Sequence, residues 1–129
     1  MDEKKTILYV DDEQTNLLLF RINFQKKYNV ITCLSGIEGL ELLRAHPEID
    51  IVISDMKMPG MDGVEFAKKA KTEFPQVIFY ILTGFDISPE IEEILNTKII
   101  HKYYCKPFNV NEIEESINSV ESLIQKKNL

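Results

Sequence analysis

Short β-branched apolar runs alternate along this chain with longer stretches whose apolar positions recur every three or four residues. The runs at 7–10, 30–33, 49–53, 77–82 and 99–105 read as strands. Leu17, Leu18, Phe20, Ile22 and Phe24 mark a first helix. A second opens on the capping box Ser35-Gly36-Ile37-Glu38 and closes at Pro47; a third opens in the same style on Asp62-Gly63-Val64-Glu65 and closes at Pro75. Ser88-Pro89 opens a fourth, with serine as N-cap and proline at the first helical position. Asn109-Val110-Asn111-Glu112 opens a fifth, expected to run to about Gln125.

Strands that alternate with helices imply a parallel sheet covered on both faces, a doubly wound α/β fold. The near-continuous apolar run at 49–53 agrees, because a strand buried on both sides needs no polar face. At 129 residues the whole chain, 1–129, is expected to form one domain with one sizeable core. A net charge of −6 argues against an electrostatic grip on nucleic acid or anionic lipid. No apolar stretch approaches membrane-spanning length, and no signal-peptide core follows Met1-Asp2-Glu3-Lys4-Lys5. Cys33 and Cys105 match no metal or redox spacing and are expected to be buried thiols, not a disulfide, in a reducing cytoplasm.

In open α/β sheets ligands bind beyond the carboxyl ends of the strands. Asp11 and Asp12 follow the first strand, Asp55 the third, Thr83 and Gly84 the fourth, and Lys106-Pro107 the fifth. Each alone is an ordinary loop residue. Together they put three carboxylates, a hydroxyl and an ammonium on one rim. Crowded carboxylates cannot all stay ionised without a counter-charge. A hard cation resolves this, and Mg²⁺ suits best, since it takes one or two carboxylates and leaves room for phosphate oxygens. Asp55 then becomes a candidate nucleophile toward a phosphoryl group, with Lys106 and Thr83 facing the incoming oxygens. The turn Met56-Lys57-Met58-Pro59-Gly60 behind it leaves a backbone carbonyl for the metal.

The motifs VDDE at 10–13, SDMKMPGMDG at 54–63, LTG at 82–84 and KPF at 106–108 resemble, in order and spacing, the receiver domain of two-component response regulators. The resemblance covers about residues 5–125 and implies a flavodoxin-like (βα)5 fold with strand order 2-1-3-4-5. It implies that Asp55 is the phosphoacceptor, that Asp12 touches Mg²⁺ directly with Asp11 acting mainly through water, and that the Lys57 backbone carbonyl is a further ligand. It places Lys106 against the phosphoryl group, makes the Lys106–Pro107 bond cis, and puts Tyr103 at the family's switch aromatic, while the neighbouring Tyr104 serves packing. The implied phosphodonor is a sensor histidine kinase or a histidine phosphotransfer protein. The implied readout is a partner protein, an output domain or a second copy on the face of the fourth helix, fifth strand and fifth helix. His46 and His101 are expected at the surface or on an edge strand. Phe85 and Lys57 are bulky or charged next to the phosphoryl site. The acidic residues Glu90, Glu92, Glu93, Glu112, Glu114 and Glu115 give the readout face no evident pairing of opposite charges.

Other classes compete with this reading. A haloacid-dehalogenase-like phosphatase also uses an aspartate after its first strand, and Asp11-Asp12-Glu13-Gln14-Thr15 resembles its signature loosely, with Glu13 where a second aspartate is expected. A flavin module would need hydroxyls and glycines after the first strand, where Asp11 and Asp12 would repel a phosphate. A receiver that only binds partners would not need the complete set Asp12, Asp55, Thr83 and Lys106.

Overall fold

The computed structural model describes residues 4–84 and 89–120, except for the side chain of Glu90. Five strands, β1 (Thr6–Val10), β2 (Asn29–Cys33), β3 (Ile49–Ser54), β4 (Ile78–Thr83) and β5 (Lys102–Cys105), form one sheet. All neighbours are parallel, in the order β2-β1-β3-β4-β5. The helices α1 (Gln14–Phe24), α2 (Gly36–Ala45), α3 (Gly63–Glu73), α4 (Pro89–Asn96) and α5 (Val110–Ser119) connect or follow them.

The side-chain period of two divides the central strands between two cores. Leu8, Val10, Val52, Phe79 and Ile81 enter the core that also holds Leu40 and Leu43 of α2, Phe66 and Ala67 of α3, and Ile91 and Ile94 of α4. Ile7, Tyr9, Ile51, Ile53, Tyr80 and Leu82 enter the other, against Phe20 and Phe24 of α1 and Ile113 and Ile117 of α5. Burial on both faces is why β1, β3 and β4 read as near-continuous apolar runs, with Asp50 the one partly exposed residue of β3.

The capping signals act as the sequence suggests. Ser35 Oγ accepts from the Glu38 N–H at 3.2 Å, Asp62 Oδ1 from Glu65 at 2.9 Å, and Asn109 Oδ1 from Glu112 at 3.0 Å. Each supplies one acceptor to the unpaired amides of a first helical turn. The expected cap Ser88, the bulky Phe85 and the expected extension of α5 toward Gln125 lie outside the described residues.

Two expectations need correction, the start of the fifth strand and the burial of Cys105. The fifth strand begins at Lys102, not at 99, because Lys98 adopts a left-handed φ of 63° in the turn that ends α4. Ile100 before it is still buried, so its apolar run reflects core packing, not pairing. In α1 only Phe20 and Phe24 are buried, whereas Leu18 and Ile22 stay 57% and 55% exposed. Two residues at about 100° each put the Leu18–Ile22 row on the far side of the helix. Cys33 is buried, with its thiol pushed up to about 11 by burial, but Cys105 is exposed on the edge strand. His101 is half-buried, with Nδ1 enclosed, and burial holds it below the usual imidazole range. His46 is partly exposed, and its Nδ1 lies 3.0 Å from Glu48 Oε2.

Candidate functional site

The residues that end the strands are fixed by main-chain bonds that extend the sheet one step. The Asp11 N–H donates to Cys33 O at 3.2 Å, Asp55 N–H to Val10 O at 2.8 Å, and Lys106 N–H to Thr83 O at 2.7 Å. Each functional side chain therefore leaves a backbone as rigid as the strand before it. The Lys106–Pro107 peptide bond is cis.

Behind Asp55 the chain turns sharply. Gly60 takes a left-handed φ of 79°, which costs glycine little, and the Gly63 N–H donates to Met56 O at 2.8 Å. A Cβ on Gly63 would stand 2.5 Å from the Asp55 carbonyl oxygen. Glycine there lets the start of α3 close directly beneath Asp55.

One ligand oxygen each from Asp11, Asp12 and Asp55 lies within 4.8 Å of the others. Asp11 is fully buried, Asp55 is buried and Asp12 is exposed. Lys106 Nζ reaches into the cluster, 2.8 Å from Asp11 Oδ2 and 3.4 Å from Asp55 Oδ2. Burial raises the Asp55 carboxyl above the usual carboxylate range; Lys106 opposes this and the Asp11 charge adds to it. Burial alone would lower the Lys106 ammonium, but its hydrogen bond to Asp11 and the charges of Asp55 and Asp11 raise it. One ammonium thus faces more negative charge than it neutralises. The donors are all hard oxygens at spacings that a small divalent cation bridges, so the residues present fit Mg²⁺.

Thr83 is fully buried at the end of β4. Tyr103 pairs in register with Ile81, and Thr83 with Cys105. Tyr103 therefore sits on a strand adjoining Thr83 and two residues back along it. It packs, half-buried, against the core of α2, α3 and α4, whereas Tyr104 is buried in the opposite core. Lys57 is exposed beside Met56. Of the acidic residues, Glu114 pairs at 2.8 Å with Lys27, in the turn after α1, rather than across to α4.

Sequence reasoning missed two residues of this site. Tyr9 Oη donates to Asp11 Oδ2 at 2.9 Å, and Asn16 Nδ2 lies 3.2 Å from the same oxygen and 3.3 Å from Oδ1. Burial, the Asp11 charge and that hydrogen bond together push the Tyr9 hydroxyl up, which keeps it a donor. The available signal was the strand period: Tyr9 stands two residues before Asp11, on the same side.

Residues 7–118 match the family model described as response regulator receiver domain. The chain is 31% identical over 120 residues to sporulation initiation phosphotransferase F of Bacillus subtilis, covering 91% of this chain and 92% of that protein. It is also 31% identical over 107 residues to the hydrogenase transcriptional regulatory protein HoxA of Cupriavidus necator, covering 83% of this chain but 22% of that relative. Among solved structures, the response regulator TrrA of Thermotoga maritima, in complex with Mg²⁺ and beryllofluoride, superposes with a TM-score of 0.77 at 28% identity, covering 90% of this chain and 98% of that one.

Proposed function

The chain belongs to the response regulator receiver domain family, and from that membership we propose that Asp55 is the residue through which it accepts a phosphoryl group. The observation that carries this assignment is the convergence of Asp11, Asp12 and Asp55 around the Lys106 ammonium. An Asp55 carboxylate oxygen bonds to phosphorus as the bond from phosphorus to the donor's leaving atom breaks. The electron pair of that bond departs with the leaving group, a histidine nitrogen of a sensor kinase or phosphotransfer protein. The product is an aspartyl phosphate.

Asp12, Asp55 and the Lys57 backbone carbonyl would hold Mg²⁺, with Asp11 behind them. When bound, the metal neutralises charge on the transferring oxygens. Lys106 stands 3.4 Å from Asp55, so a small movement brings its ammonium onto a phosphoryl oxygen. Thr83 donates its hydroxyl to another. The strand ends hold these groups before the donor arrives, and phosphoryl transfer needs little else.

Asp11 also speaks against a phosphatase that attacks from the first strand. Its oxygens already accept from Tyr9, Glu13, Asn16 and Lys106 and are fully buried. Asp55 is the less encumbered nucleophile. In this reading the whole chain acts as a single receiver unit in the cytoplasm and assists only its own phosphorylation and dephosphorylation. No helix among the described residues is long and apolar enough to cross a membrane. Signal passes to a partner protein, an output domain or a second copy on the face formed by α4, β5 and α5.

The test is intact-protein mass after incubation with a small acyl phosphate. An adduct of one phosphoryl group should form with Mg²⁺ and be lost with chelator or with Asp55→Asn. Full adduct in Asp55→Asn would sink the assignment.

A further inference from the structure

Tyr9 belongs to the buried core and to the rim at once. Its ring stacks on Phe20, with centroids 4.2 Å apart and planes 7° from parallel. Phe20 is stacked in turn on Phe24 and meets the edge of Phe108. The ring is almost fully buried against this stack. Its hydroxyl donates at 2.9 Å to Asp11 Oδ2, the same oxygen that accepts from Lys106 at 2.8 Å. Glu13 N–H donates to Oδ1 at 3.0 Å, and Asn16 Nδ2 lies near both oxygens. Asp11 is fully buried, so solvent does not stand by to replace a lost donor.

Lys106 is shared between two carboxylates, and the chemistry proposed above draws it toward oxygens on Asp55. Oδ2 of Asp11 would then lose its charged donor inside the protein. A buried carboxylate left so would turn toward another partner, and would no longer face the cluster. A second lysine could hold it but would repel the cation. A neutral hydroxyl on a buried, stacked ring holds it without adding charge.

We propose that Tyr9 is a positioning residue, whose hydroxyl keeps the Asp11 carboxylate facing Asp12 and Asp55 independently of Lys106. Lys106 can then pass to a phosphoryl group without disturbing the oxygens that face the metal. Groups that orient metal-facing carboxylates typically affect affinity by about 10–100-fold. The inference rests on the Mg²⁺ reading of the site.

Calorimetric titration of Mg²⁺ into the full chain tests it. Tyr9→Phe keeps the stacked ring and removes only the hydroxyl, and should bind Mg²⁺ roughly tenfold more weakly. Phe24→Leu opens the same core but leaves the Tyr9–Phe20 pair and the hydroxyl in place; it should lower the melting temperature and leave affinity within about twofold, a small fraction of that range. Lys106→Ala needs no folded Tyr9 variant and should bind Mg²⁺ at least as tightly as the unaltered chain, because Tyr9 still holds Asp11. Equal affinity in Tyr9→Phe and the unaltered chain would overturn the inference. So would an equal loss in Phe24→Leu, or a tenfold loss in Lys106→Ala. Failure of the unaltered chain to bind Mg²⁺ would instead remove the metal reading itself, and this inference with it.

Discussion

Lys106 donates to Asp11 at 2.8 Å across a sequence separation of 95 residues. That bond joins the end of β5 to the end of β1, with β3 and β4 between them. Removing the ammonium leaves a fully buried carboxylate and its neighbour Asp55 without a counter-charge. Lys106→Ala should therefore destabilise the metal-free protein by about 3 kcal/mol, toward the low end for a broken buried pair because the lysine is 23% exposed. Mg²⁺ should restore much of the loss. Urea titrations in chelator and in Mg²⁺ measure both, and equal losses in the two would contradict it.

Asp55→Asn is expected to act in the opposite direction. Burial and Asp11 raise the Asp55 carboxyl above its ordinary range, so its charged form is disfavoured in the folded state. A neutral amide removes that penalty. The metal-free variant should unfold at a higher temperature than the unaltered chain. The gain should shrink as pH falls and Asp55 becomes protonated anyway. A lower melting temperature in chelator at neutral pH would refute it.

His101 gives stability a dependence on pH that is independent of the acidic site. Burial, with Lys71 nearby, holds its folded-state value below the ordinary 6.5. The unfolded chain then binds more protons in the window just below 6.5, so stability is full above that value and falls as pH drops through it. His101→Gln should flatten this part of the profile. Denaturation midpoints between about pH 5 and 7.5, which bracket an ordinary histidine, test the sign.

Tyr103 should matter to readout and not to chemistry. It lies beside Ile81, two residues back from the Thr83–Cys105 pair, on the edge strand. If Thr83 moves toward a phosphoryl group on Asp55, the tyrosine's apolar body can follow into the vacated space. Tyr103→Ala should leave the mass adduct at Asp55 nearly intact while weakening phosphorylation-dependent binding or dimerisation by tenfold or so, about 1.4 kcal/mol. Amide exchange over residues 85–106 should change on phosphorylation more than in α2. Equal changes in both would count against the switch.

The two thiols should react at very different rates. Cys105 is exposed, while Cys33 is buried with its thiol pushed up to about 11. A thiolate is the reactive form, so Cys33 is doubly protected. Labelling of native, unreduced protein should show one fast group, with a second appearing only on unfolding. A Cys105→Ser chain that retains the fast group would reverse the assignment.

Most of the architecture was set by the sequence alone, because the signals are local. Capping acceptors at Ser35, Asp62 and Asn109 start helices wherever they stand, prolines at 47 and 75 stop them, and β-branched runs buried on both sides make parallel strands. The rim residues were legible for the same reason: a polar residue directly after an apolar strand lies at the sheet's carboxyl edge whatever the neighbouring strands are. Only the tertiary structure decided which partners they meet. It set the sharing of Lys106 between Asp11 and Asp55, the hold of Tyr9 on Asp11, the enclosure of His101 and the exposure of Leu18, Ile22 and Cys105. These depend on which strand lies beside which and on how a helix is rotated about its axis. Tyr9 shows the limit: along the chain it fits an apolar strand, and its hydroxyl gains a role only when Lys106 arrives at the same carboxylate oxygen from the far end of the sequence.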